Sequence, residues 1–160
     1  MATGRSTQLT RQIGEHLVAA KLGRLGLFAT PFAGNVPEFD LLVADGTGKS
    51  ALVQVKAING PSWQFTATTY LDITVEGNVQ IVNGKRKLAN PDLVCVLILL
   101  REDEPDNFYV LSASDLQNIL FGTYKGGVRP KNPSSMHCAV WPKELGAFRD
   151  NWKLVEENLR

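Results

Sequence analysis

Two short apolar stretches, Phe39 to Val43 and Leu52 to Lys56, constrain the fold of this chain more than any other feature. Each stretch predicts a β-strand, and a glycine-rich turn between them favours a hairpin. Because alternate residues of a strand share one face, Gln54 and Lys56 should project side by side, and the hairpin should bring Asp40 near them. A carboxylate, an amide and an ammonium are costly to bury at a sheet edge without a function. A divalent cation together with a phosphate would use all three groups.

The remaining patterns predict an α/β chain with a mixed central sheet. Residues 7–25 should form a helix whose apolar positions are Leu9, Ile13, Leu17 and Ala20. The apolar run 93–100 is typical of a central strand that is covered on both faces. Further elements are expected as strands over 63–69 and 108–111, a hairpin over 70–82, a helix capped by Ser112 or Ser114 and ended by Gly122, a short helix at Pro142, and a last helix from Asp150 or Asn151.

Length and composition indicate one domain over residues 1–160. With 160 residues and 44% hydrophobic residues, the chain can bury a substantial core. The longest apolar run is too short to cross a bilayer, and the polar start of the chain lacks a signal-peptide core. The two cysteines favour no disulfide framework. We therefore expect a reduced, cytoplasmic protein without membrane contact.

Two basic clusters are candidate nucleic-acid contacts. The net charge of +1 does not exclude this role, because binding needs only a local positive patch. The simpler interpretation of either cluster is a solvated turn. The candidate residues are Lys85, Arg86 and Lys87 in the first cluster, and Lys125, Arg129 and Lys131 in a loop rich in glycine and proline.

A further carboxylate, Glu15, lies on the first predicted helix. Val18 and Leu22 follow it three and seven residues later, so that Glu15 shares a largely apolar side of the helix and is a candidate to face the sheet. The alternative is a solvated glutamate near a helix N-terminus, where negative charge is favourable.

Glu15 on a leading helix, Asp40 on one strand and Gln54-Val55-Lys56 on the next resemble the motif of the PD-(D/E)XK phosphodiesterase superfamily. Many restriction endonucleases and archaeal Holliday-junction resolvases have this fold, and the resemblance implies a restriction-endonuclease-like mixed sheet flanked by helices, with the first helix preceding the core strands. The motif departs from the usual one at Gln54, where an acid is common, and at Pro37, which precedes Asp40 by three positions. A Gln-x-Lys version is typical of methylation-dependent restriction nucleases. The chain as a whole also resembles a small bacterial protein family.

The resemblance implies a metal-dependent hydrolysis of phosphodiester bonds, most simply by a DNA endonuclease. Asp40, the side-chain oxygen of Gln54, the carbonyl oxygen of Val55 and Glu15 would hold Mg²⁺ or Mn²⁺. Lys56 would orient the attacking water or stabilise charge on the phosphate. The implied partner is nucleic acid, with a homodimer as an optional assembly. The alternative is a catalytically weak or inactive relative that only binds nucleic acid or a protein, since Gln54 removes one negative charge from the metal site.

Overall fold

The computed structural model describes residues 4–34, 36–126 and 132–160. Its helices and strands in chain order are α1 (Gly4–Arg24), β1 (Phe28–Pro31), β2 (Leu41–Ala44), β3 (Ser50–Ile58), β4 (Trp63–Thr66), α2 (Ala67–Tyr70), β5 (Leu71–Glu76), β6 (Val79–Lys85), β7 (Val94–Leu99), β8 (Asn107–Ser112), α3 (Ala113–Tyr124), β9 (His137–Val140) and α4 (Lys153–Glu157). Two short 3₁₀ turns, Pro142–Glu144 and Gly146–Phe148, lie between β9 and α4.

A five-stranded mixed sheet forms the centre of the molecule, with the strand order β1-β2-β3-β7-β8. Strands β3 and β7 are parallel, and the other neighbouring pairs are antiparallel. The predicted hairpin joins β2 to β3, with Leu41 opposite Val53. A leading helix followed by a mixed central sheet with flanking helices confirms the predicted α/β fold class.

Apolar side chains cover both faces of this sheet. On one face, Val18 and Leu22 of α1 pack with Val53 and Val55 of β3 and with Val155 of α4. On the other face, α3 and the two-stranded β4–β9 sheet pack over alternate residues of β7 and β8. Strand β7 is therefore buried along nearly its whole length, as its continuous apolar run predicts.

Helix α1 lies against β3 through a stripe that differs from the predicted one. Gly14, Val18 and Leu22 are buried, whereas Leu9 and Ile13 are about half exposed. A Cβ atom at Gly14 would lie 2.6 Å from the Cβ of Ala57, so only glycine permits this close approach of helix and strand. The prediction of an inward Leu9–Ile13 stripe is wrong, because the helix buries its smallest residue against the sheet.

Helix α3 begins as predicted and ends later. The Ser112 hydroxyl accepts a hydrogen bond from the Asp115 N–H, and the Asp115 carboxylate accepts one from the Ser112 N–H, which forms a capping box. The helix continues through Gly122 to Tyr124, so Gly122 does not end it. Sequence patterns also missed β1, a short edge strand that contains Pro31.

The β5–β6 hairpin is anchored at its base by a buried glutamine. The Gln117 amide nitrogen donates to the carbonyl oxygens of Tyr70, at 2.8 Å, and Arg86, at 2.6 Å. Tyr70 and Arg86 flank the two ends of the hairpin, so α3 fixes the path of the chain into and out of it. The turn at Gly77 lies where the sequence predicts it.

Candidate functional site

Asp40 lies where β2 and β3 begin to pair. Its backbone N–H donates to the Val53 carbonyl oxygen at 2.9 Å, and its Oδ2 accepts the Val55 N–H at 2.8 Å. The carboxylate thus takes the place of a backbone acceptor at the edge of β3. Because the N–H and C=O of one strand residue point to the same side, the Val55 carbonyl faces this edge as well. Asp40 and the Val55 backbone are therefore neighbours.

Gln54 and Lys56 share the face of β3 that is opposite to α1, as alternation predicts. They lie beside Cys95 and Leu97 of β7, and the Cys95 thiol lies 3.6 Å from the Gln54 Oε1. A thiol is a weak donor, so the Gln54 oxygen keeps most of its capacity to accept or ligate. Burial raises the pKa of Cys95 to about 12, which keeps the thiol neutral beside this oxygen.

Lys56 lies in a partly apolar environment. Its Nζ is 4.7 Å from the centre of the Phe65 ring, a cation–π distance. The Trp63 indole N–H donates to the Lys56 carbonyl oxygen at 3.0 Å and fixes the backbone there. Burial lowers the pKa of Lys56, and the negative charge of Asp40 opposes part of that change. Trp63 is fully buried, so it is a core residue, as predicted.

Arg11 joins the two predicted carboxylates. Its Nε donates to the Glu15 Oε1 at 2.9 Å, and its Nη2 donates to the Asp40 Oδ1 at 3.0 Å. The side chains of Glu15 and Asp40 are only 15% and 11% exposed, whereas that of Arg11 is 49% exposed. The hydrogen bond to Glu15, followed by the charge of Asp40, raises the pKa of Arg11 against the opposing effect of burial. Both carboxylates are therefore turned toward one cation.

A cleft of about 560 Å³ contains this arrangement. Arg11, Asp40, Gln54, Val55 and Lys56 all line it. Glu15 reaches the same place through its hydrogen bond with Arg11. Four of the predicted site residues therefore line one cleft, and Glu15 lies beside it as the ion-pair partner of Arg11.

Arg11 and Glu38 are two charged residues of the cleft that the sequence patterns did not place in the site. Arg11 carries a detectable signal, since it precedes Glu15 by four residues on a helix, but its second partner is 29 residues away. Glu38 lines this cleft and a smaller adjoining pocket of about 100 Å³ that Gln54 also lines. Its φ of 75° is unusual for a residue with a side chain, and such conformations concentrate at functional sites.

The basic candidates differ in their placement. Lys85, Arg86 and Lys87 are exposed at the end of β6, and Leu88, which follows them, lines the smaller pocket beside Gln54. Lys85 is also held by Asn118 and lies 5.4 Å from the centre of the Phe121 ring. Lys125 is exposed at the C-terminal end of α3. Arg129 and Lys131 lie outside the described residues.

The donor set of the cleft fits a hard divalent cation. It offers the carboxylate of Asp40, the amide oxygen of Gln54 and the carbonyl oxygen of Val55, and Glu15 adds a second carboxylate beside it through Arg11. All of these are oxygen ligands. Among residues 4–34, 36–126 and 132–160, no three Asp, Glu, His or Cys side chains converge to form a metal site. A cation bound here would therefore depend on the neutral oxygens as well as on the two carboxylates.

The solved structures that are similar to this chain include one that matches it over almost its full length. It is a bacterial homing endonuclease, I-Ssp6803I, with a TM-score of 0.53, 17% sequence identity, and coverage of 95% of this chain and 94% of the other. At this identity the likeness shows a shared fold. No protein-family model matches the sequence, and no curated protein matches it.

The described part of the chain offers no candidate membrane span. No helix within it combines the length and the apolarity that crossing a bilayer requires.

Proposed function

We propose that this chain is a metal-dependent nuclease of the PD-(D/E)XK type that hydrolyses phosphodiester bonds in DNA. The observation that carries the proposal is the cleft lined by Asp40, Gln54, Val55, Lys56 and Arg11, with Glu15 paired to Arg11 beside it. A nuclease-like fold shared with a homing endonuclease supports it. The proposal places the active site in one domain formed by residues 1–160.

Each residue has a distinct part in the proposed reaction. Asp40, Gln54 and the Val55 carbonyl would hold Mg²⁺ or Mn²⁺, and Glu15 would hold it directly or through a water molecule. When bound, the cation supplies Lewis-acid polarisation of the phosphate and an acidified water. Lys56 orients the attacking water or stabilises negative charge on the phosphoryl oxygens. Its partly buried position makes this charge more effective than it would be in open water.

Cleavage of a supercoiled plasmid tests the proposal. With Mg²⁺ or Mn²⁺, the wild-type protein should nick or linearise the plasmid, and Asp40→Asn should abolish cleavage. Lys56→Met should lower the rate by about 100-fold or more, as the loss of one preorganised charge-stabilising group does in other enzymes. Asp92→Asn is the matched control, because Asp92 is an exposed carboxylate outside this cleft and its ion-pair partner, Arg160, is exposed as well. Activity that survives both Asp40→Asn and Lys56→Met would contradict the proposal.

A second candidate function is a nuclease-like module that binds nucleic acid without cleaving it. The observation that favours it is the pairing of both carboxylates with Arg11, which neutralises charge that a metal would otherwise use. The neutral Gln54 weakens the cation site further. DNA binding that is independent of divalent cations, together with no cleavage of double-stranded, single-stranded or branched DNA, would favour this module over the enzyme.

A further inference from the structure

Arg11 occupies the position that most constrains how a cation could enter the cleft. Its guanidinium bonds to Glu15 and Asp40 through different nitrogens, so it bridges residues of α1 and of the segment leading into β2. The second oxygen of Asp40 is already held by the Val55 N–H. Arg11 therefore holds the Asp40 oxygen that the Val55 N–H does not, so a metal ion that approaches Oδ1 meets the guanidinium.

We propose that Arg11 is a built-in counterion that a divalent cation displaces, and that the displaced guanidinium then binds the phosphate backbone of the nucleic acid. This inference rests on the proposed function, because it assigns a role to Arg11 at the same metal site. A cation bound beside Glu15 and Asp40 repels the guanidinium of Arg11, so that binding of one weakens binding of the other.

The exchange requires little free energy on the arginine side. The Arg11 side chain is half exposed, so the guanidinium can return to water when a cation takes its place beside the two carboxylates. Turning away from the carboxylates moves the guanidinium along a cleft wall that α1 itself supplies through Ser6, Thr7 and Thr10. A planar guanidinium matches the two oxygens of a phosphate group, which is the recognition that a cleft for a nucleic-acid backbone needs.

The cation half of the inference is tested by titrating Mn²⁺ into the protein without nucleic acid, with electron paramagnetic resonance to count free ion. Arg11→Leu should tighten Mn²⁺ binding by about two- to tenfold, because the competing cation is gone and the two carboxylates repel each other until a metal binds. Arg24→Leu is the matched control, since it removes the same charge from the last turn of the same helix. It should leave the affinity unchanged. Asp40→Asn should abolish binding.

The phosphate half is tested by the salt dependence of DNA binding with Mn²⁺ present. The measurement uses a Lys56→Met background, in which cleavage should be about 100-fold slower or more, so that binding is read before the DNA is cut. Arg11→Leu should reduce the slope of log affinity against log salt by about 1, because one phosphate contact is lost. Arg11→Lys should restore the slope, because an ammonium keeps the positive charge. Its Mn²⁺ affinity should fall between those of the wild type and Arg11→Leu, because an ammonium lacks the planar, bidentate hydrogen-bonding geometry of a guanidinium.

The outcomes separate this inference from the proposed function. If the wild type binds Mn²⁺ through Asp40 and Arg11→Leu binds it no more tightly, the inference is overturned and the nuclease proposal stands. If only Arg11→Leu binds Mn²⁺, the counterion role is supported. If neither binds Mn²⁺, both proposals fail. An unchanged salt slope in Arg11→Leu would overturn the transfer of Arg11 to phosphate.

Discussion

The contact of Gly14 with Ala57 should control both the stability and the activity of this protein. In Gly14→Ala the new methyl carbon would lie 2.6 Å from the Ala57 Cβ. Since carbon atoms pack at about 3.5–4.0 Å, α1 must move away from β3 by about 1 Å. Such overpacking costs about 1–3 kcal/mol. The better helix propensity of alanine returns about 1 kcal/mol, so we expect a net loss of about 0–2 kcal/mol.

The same displacement should affect activity more strongly than stability. Helix α1 carries Arg11 and Glu15 toward Asp40, and a misplacement of about 1 Å can lower a rate by roughly 100-fold. Thermal unfolding and the plasmid assay should be measured on the same preparations. In a chain of this size, the stability loss corresponds to a Tm decrease of up to about 8 °C.

Two comparison variants make the reasoning about Gly14 refutable. Gly23→Ala lies on the same helix, and an added Cβ there meets nothing within 4 Å, so it should keep or raise Tm. In the double variant Gly14→Ala with Ala57→Gly, the clashing methyl group is removed from the strand, and part of the lost activity should return. If Gly14→Ala raises Tm as Gly23→Ala does and leaves cleavage unchanged, the close approach of α1 to β3 does not position the site.

Two further predictions concern single side chains. Ser112→Ala removes the N-cap of α3 and should cost about 1 kcal/mol, seen as a Tm decrease of about 2–4 °C without a change in cleavage rate; an unchanged Tm would contradict the capping role. Lys56→Met should abolish most activity yet keep or raise Tm at pH 7, because burial disfavours the charged lysine in the folded state. Above the lowered pKa of Lys56, the unfolded chain binds more protons than the folded one, so raising the pH toward 10.5 should stabilise the wild type relative to the variant. A lower Tm for the variant than for the wild type at pH 7 would refute this reasoning.

Local sequence patterns predict the strand pair of the site well. Strand alternation places Gln54 and Lys56 on one face because the period of a strand is two residues. The turn between β2 and β3 has glycines at φ values of 80° and 100°, which the sequence reveals through Gly46 and Gly48. These local rules were sufficient to place Asp40 beside β3.

Long-range packing explains what the sequence did not reveal. Two candidate stripes run along α1, and Leu9 and Ile13 of the more hydrophobic one are about half exposed. The helix instead buries the stripe that contains Gly14, which carries no hydrophobic signal and is selected by the nearby methyl group of Ala57. The bridge from Arg11 to Asp40 depends on that same packing, and a sequence separation of 29 positions hides it from any local pattern.

The dependence of plasmid cleavage on Mg²⁺ concentration in three Gln54 forms tests the central claim most directly. An amide oxygen can ligate a hard cation but adds no charge. We predict no cleavage without a divalent cation, a lower half-maximal Mg²⁺ concentration for Gln54→Glu than for the wild type, and a higher one for Gln54→Leu. The direction for Gln54→Glu follows from the added negative charge beside Asp40. Equal Mg²⁺ dependence in all three forms, or cleavage that needs no metal, would contradict the account.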